Sequence, residues 1–256
     1  MIDDSIFGLR KRNDINRRRQ NNNEKPNQFV LTSANGDING DGAADDIFLI
    51  GSKTSSSPFV QNITLIIQDG KTGSLTNVAL KTDVGYNPTL HLADFNNDGV
   101  DDILISIASG GSGGMMYYYI YSYMDNAVKL IFDYDIFNRF FQYGVTYKDY
   151  YRVEVDDRTK KLLFMIDISL KDHSYLNEIY DSNGVLKEPI EGFVNPLSGL
   201  YPIDFDSDGT YELLAYQKVA GRYNADSLGY IQTVLKWDKD RFVMADQYLA
   251  VMGTEY

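Results

Sequence analysis

Oxygen-bearing side chains alternate along three short stretches of this chain: Asp37, Asn39 and Asp41; Asp94, Asn96 and Asp98; Asp204, Asp206 and Asp208. In each, a glycine follows at position 6 (Gly42, Gly99, Gly209) and an acid at position 9, before an apolar run. The ninth-position acids are Asp102 and Glu212 in the last two stretches and either Asp45 or Asp46 in the first. Hard oxygens at this spacing suit a hard cation such as Ca²⁺, which takes six to eight of them at about 2.3–2.6 Å. The glycine permits φ > 0, so the backbone can wrap around an ion. Main-chain carbonyls of Ala43, Val100 and Thr210, at position 7, are further candidate ligands. The pattern predicts up to three calcium ions.

These loops need strands to hold them, and a repeat supplies the strands. The loops begin 57 and 110 residues apart, and the second interval is two units of the same size. Hairpin-tip dipeptides Asp69-Gly70, Asp125-Asn126, Asp181-Ser182 and Asp238-Lys239 recur at intervals of 56, 56 and 57 residues. Two independent landmarks sharing one period predict four units. In the second unit, strands are expected over residues 89–95, 103–108, 115–123 and 127–133, rich in Val, Ile, Tyr and Phe. The first and fourth units read alike, and no stretch holds a sustained 3.6-residue apolar period. Four-stranded antiparallel units of this length predict an all-β, four-bladed β-propeller. Its blades would span about 28–84, 85–143, 144–197 and 198–256, after a polar, basic tether over 1–27 in which residues 5–10 can add one closing strand. In the third unit, aligning Leu162 with Ile103 leaves one acid in the loop, so no ion is expected there. Lys160 or Lys161 is expected to stand in its place.

The formal charge of −12 opposes a nucleic-acid partner, which requires a basic surface to neutralise phosphates. Cysteine is absent, so disulfide and thiolate chemistry are excluded. No apolar run reaches the roughly 20 residues of a transmembrane span. The first 27 residues lack the hydrophobic centre of an export signal. Loops of modest ligand count suit millimolar Ca²⁺, which points to an extracellular or cell-surface monomer whose export signal is not present in this chain.

At its loops the chain resembles the FG-GAP/VCBS repeats of integrin α-subunit propellers and bacterial extracellular proteins. The motif Asp-x-Asn-x-Asp-Gly-x-x-Asp is matched residue by residue at Asp94, Asn96, Asp98, Gly99 and Asp102. It is matched with acidic exchanges at Asp204, Asp206, Asp208, Gly209 and Glu212, and at Asp37, Asn39, Asp41 and Gly42 in the first loop. The resemblance implies a calcium-stabilised propeller that serves as a binding platform. An EF-hand does not fit: position 12 holds Phe48, Ile105 and Ala215 instead of a bidentate acid.

Other candidates read as structural. The SGGSGG run at 109–114 precedes a strand rather than a helix, so a surface loop fits it better than a phosphate cradle. Tyr117, Tyr119, Tyr121 and Tyr123 share one strand face, which suits packing between sheets. His91 and His173 form no catalytic pattern, and His91 is expected to be a satisfied structural histidine. No catalytic residue is assigned. The function expected is a noncatalytic binding module for a protein or glycan, the alternative being a small calcium-dependent carbohydrate-active hydrolase or lyase.

Overall fold

A computed structural model describes residues 28–53 and 57–253. The expected tether over 1–27 and its optional strand lie outside the described residues. No described helix is long and apolar enough to cross a membrane.

The chain is all-β, as expected, but its strands do not sort into four separate blades. β1 (Gln28–Gly36), β2 (Asp45–Ser52), β3 (Gln61–Gln68) and β4 (Leu75–Ala79) form one antiparallel meander. β5 (Tyr86–Ala93), β6 (Asp102–Ala108), β7 (Met116–Ser122) and β8 (Lys129–Asp133) form a second. The third unit supplies only three strands, β9 (Tyr143–Lys148), β10 (Arg152–Asp157) and β11 (Leu162–Asp167). The fourth supplies β12 (Glu191–Ile203), β13 (Glu212–Ala220), β14 (Ser227–Asp238) and β15 (Arg241–Ala250). Glu191 and Gly192 at the start of β12 pair with Thr146 and Val145 of β9. That pairing fuses both units into one seven-stranded sheet, ordered β11-β10-β9-β12-β13-β14-β15.

Two seven-residue helices interrupt the strands. α1 (Tyr134–Phe140) follows the second sheet, and α2 (His173–Ile179) stands just before the Asp181-Ser182 tip, where the third strand of the third unit was expected. Each starts on an aspartate, Asp133 or Asp172, whose carboxylate accepts the backbone N–H two residues on. Both bury two apolar side chains. Two turns are too short for a helical period to stand out in the sequence.

Three of the four expected tips are hairpin turns between paired strands. The β7–β8 connection runs over residues 123–128 and turns at Asp125 and Asn126, both left-handed (φ 55° and 62°). The fourth, at Asp181-Ser182, closes only an isolated bridge between Tyr180 and Leu186.

The second sheet is buried on both faces. Ile103, Ile105 and Tyr119 are sealed on one side, and Leu104 and Ile120 on the other. It meets the first sheet through β1 and β5, and the seven-stranded sheet through β7 with β12 and β8 with β15. The tyrosines of β7 pack between layers as expected. Tyr119 accepts the N–H of Thr82 through its hydroxyl, and the Tyr123 hydroxyl pairs with Thr76. His91 departs from expectation: it is exposed, and its side chain has no hydrogen bond among the described residues.

The β3–β4 tip sits hard against the end of the first acidic loop. A Cβ on Gly70 would come 2.0 Å from the Ala44 carbonyl oxygen. Gly70→Ala is therefore expected to destabilise the chain by about 2–3 kcal/mol, the scale of forced overpacking. Gly73, with open space around it, is the control for backbone strain alone (φ +72°). Urea midpoints in which Gly70→Ala costs no more than Gly73→Ala would contradict this close approach.

Candidate metal centres

All three acidic loops adopt one backbone. Position 6 takes positive φ at Gly42, Gly99 and Gly209 (84°, 81° and 92°). Position 4 does the same at Gly40, Asn97 and Ser207 (78°, 59° and 63°). The first aspartate closes each loop by accepting backbone N–H groups. Asp37 takes those of Gly40, Asp41 and Gly42; Asp94 those of Asn96, Asn97 and Gly99; Asp204 those of Asp208 and Gly209. Asp41, Asp98 and Asp208 accept the N–H of Ala43, Val100 and Thr210.

Position 9 is settled by a contact common to all three. The position-2 N–H donates to Asp45, Asp102 and Glu212, at 3.1, 3.1 and 3.2 Å. The first loop therefore uses Asp45, which is sealed from solvent and also accepts the Gly70 N–H. Asp46 points elsewhere and accepts from the Asn35 amide. Asn39 and Asn96 fill position 3, and each Oδ1 accepts a backbone N–H. In the third loop position 3 is Asp206, and one carboxylate oxygen from each of Asp204, Asp206 and Asp208 lies within 4.8 Å of the others.

The loops are contiguous. The Asn39 carbonyl accepts the N–H of Asp125, and its amide donates to Asn126, so the first loop grips the β7–β8 tip. A Cβ on Gly40 would meet Val100 of the second loop at 3.2 Å. The Asp94 carbonyl accepts the N–H of Tyr211 in the third, at 2.8 Å. The Tyr211 ring meets Phe95 edge-on.

Such a rim concentrates negative charge. Burial, with the charges of Asp98 and Asp94 added, pushes the Asp102 carboxyl up to about 7 despite the N–H it accepts from Phe95. Burial and Asp94 also raise Asp101. A bound divalent cation reverses both trends, because opposite charge favours the ionised form. The donor set, carboxylates and amide oxygens without nitrogen or sulfur, fits Ca²⁺.

The third unit has no counterpart, for a reason different from the expected one. Leu162 begins the third strand of its meander, not the second. The connection between the first two strands is the three-residue turn 149–151, with Tyr150 and Tyr151 both left-handed (φ 61°). Lys160 sits over the Phe140 ring, at 5.5 Å, rather than in any loop of this kind.

One cluster was invisible in the sequence. Asp226, almost fully buried, accepts the hydroxyls of Tyr175 and Tyr147 at 2.7 and 3.2 Å. It also accepts the Arg222 N–H and the Lys171 ammonium. Burial raises both tyrosines well above their ordinary range. These residues come from β9, the β11–α2 connection, α2 and the β13–β14 connection, so no spacing joins them.

The model of the YybI C-terminal domain matches residues 141–250, a span that coincides with the seven-stranded sheet. An uncharacterized protein YybI of Bacillus subtilis (strain 168) is 47% identical over 226 residues, covering 88% of this chain and 86% of that protein. No solved structure matches. These matches overturn the resemblance to FG-GAP/VCBS repeats. That resemblance rested on three nine-residue loops, and a short cation-type loop can be mounted on unrelated sheets. By its identity along nearly its whole length, the chain belongs to the YybI family.

Proposed function

We propose that the three loops are calcium sites that lock the sheets into a propeller-like array, and that the chain is a noncatalytic binding module for a protein or glycan outside the cell. The observation that carries this is contiguity: three loops of one backbone geometry share a rim and hydrogen-bond to neighbouring units. Asp37, Asn39, Asp41 and Asp45 would hold one ion, Asp94, Asn96, Asp98 and Asp102 a second, and Asp204, Asp206, Asp208 and Glu212 a third. Bound calcium supplies charge neutralisation and cross-linking there, not a reaction. The loop residues keep the rim in one shape: the first aspartate holds each turn closed, and Asp45 and Asp102 tie loop to strand.

Calorimetric titration of Ca²⁺ into chelated protein is expected to show up to three ions, and Asp208→Asn to remove one. A glycan array and pull-downs, each run with calcium and with chelator, then test the binding role. Heat-silent titration ends the calcium reading, and signals indifferent to chelator end the link between ions and binding.

A second reading, the carbohydrate-active hydrolase or lyase, is favoured by one observation. A pocket of about 340 Å³ is lined by Glu178, Glu188, Glu191 and Arg222. Turnover in a polysaccharide panel, abolished by Glu188→Gln or Glu191→Gln, would move the assignment to that pocket.

A further inference from the structure

A cavity of about 520 Å³ opens between α1, β8 and β15. That is within the range of small-molecule sites, roughly 300–1,000 Å³. Its floor is aromatic: Phe132, Phe137, Phe141 and Phe242 line it, with Phe132 meeting Phe137 and Phe242 at ring separations of 6.0 and 5.8 Å. Its mouth leaves Ile136 and Phe140 largely in water, at 63% and 53% exposure. A contiguous apolar patch of this kind on a water-facing helix marks an interaction site more often than chance.

Charge specifies what enters. Lys160 and Arg241 line the same cavity, and neither makes an ion pair with a described acid. The single acid in the lining, Asp133, is already engaged: it caps α1 through the Asp135 N–H and lies 3.7 Å from Lys81. The cavity therefore presents an oily interior with uncompensated positive charge.

We propose that this cavity binds a small anionic amphiphile of the free fatty-acid class, its chain on the phenylalanine floor and its carboxylate between Lys160 and Arg241. This site is separate from the acidic rim and does not depend on calcium.

The chain carries its own reporter. Trp237, the single tryptophan, packs edge-on against Phe242 at 5.1 Å. Dodecanoate, kept below its micelle concentration, is expected to change Trp237 emission saturably, with one molecule bound by calorimetry. Each CH₂ removed from the chain should weaken binding about fourfold, the share of one buried methylene. Lys160→Gln/Arg241→Gln should weaken dodecanoate at least tenfold while leaving dodecanol unchanged. Ile136→Asp, at an exposed position that spares the fold, should weaken both. The proposal is overturned if dodecanoate fails to saturate, or if dodecyltrimethylammonium binds equally well. It is also overturned if sedimentation shows two copies of the chain closing over this face with no response to dodecanoate. Phospholipid vesicles form a separate arm: binding to anionic vesicles without binding of monomeric dodecanoate would assign the surface to a membrane and likewise overturn it.

Discussion

With free Ca²⁺ held at a hundred times its dissociation constant, the chain is expected to unfold about 20 °C higher than in chelator. A ligand that binds only the folded state adds about 2.7 kcal/mol at that concentration, so three ions add about 8 kcal/mol. In a domain of this size each kcal/mol moves the midpoint by about 2–4 °C. The folded chain without metal starts from a disadvantage, since Asp94, Asp98 and Asp102 repel one another in a partly buried loop. Asp98→Asn should remove about a third of the calcium increment and little of the chelated baseline. Mg²⁺ should reproduce little of the gain, because it demands near-ideal octahedral geometry and gives up its waters reluctantly. Equal midpoints in calcium and chelator would end the case for structural ions.

How much of this was legible in the sequence differs between loops and sheets. Loop geometry is local. Asp94 bonds within five residues of itself and Gly99 must turn left-handed, so spacing alone foretold the backbone. Spacing could not choose between Asp45 and Asp46, because the choice depends on Gly70, 25 residues away. The seven-stranded sheet was hidden for a more specific reason. Residues 191–199 contain Gly192, Pro196 and Gly199, which read as a loop, yet all three lie inside β12. Pro196 falls where the β12–β13 register shifts between Val194 and Leu197, a position where its missing N–H disrupts no ladder bond. Gly192 is needed where three strands crowd: a Cβ there would meet the Ala220 carbonyl at 2.4 Å and Val145 at 2.8 Å. Residues that argue against a strand by propensity are the ones that let β12 pass from β9 to β13. The ionic cluster around Asp226 escaped for the opposite reason, since nothing in its local sequence is unusual.

Replacing Asp226 is expected to cost about 3–5 kcal/mol, the scale for removing one partner from a buried charged network. The Tyr147 and Tyr175 hydroxyls keep their bond to each other, so Asp226→Ala leaves one of the two without an acceptor, strands the Arg222 N–H, and strips Lys171 of its carboxylate. Tyr147 lies on β9 and Tyr175 on α2, so one carboxylate ties the helix and the third unit to the β13–β14 connection. Asp226→Asn keeps the shape but not the charge, and should lose about half as much. Gly221→Ala attacks the same point sterically, because its Cβ would come 2.1 Å from the Tyr147 hydroxyl and 2.2 Å from Asp226. An exposed aspartate outside the network gives the comparison: Asp206→Ala in chelator should move the urea midpoint by less than about 0.5 kcal/mol, as surface substitutions do. If Asp226→Ala behaves like Asp206→Ala, this network does not hold the seven-stranded sheet to its helix. If instead the loss is large and Lys171→Met is additive with it in a double-mutant cycle, the tyrosines rather than the ammonium carry the interaction, because coupled partners are the ones that fail to add.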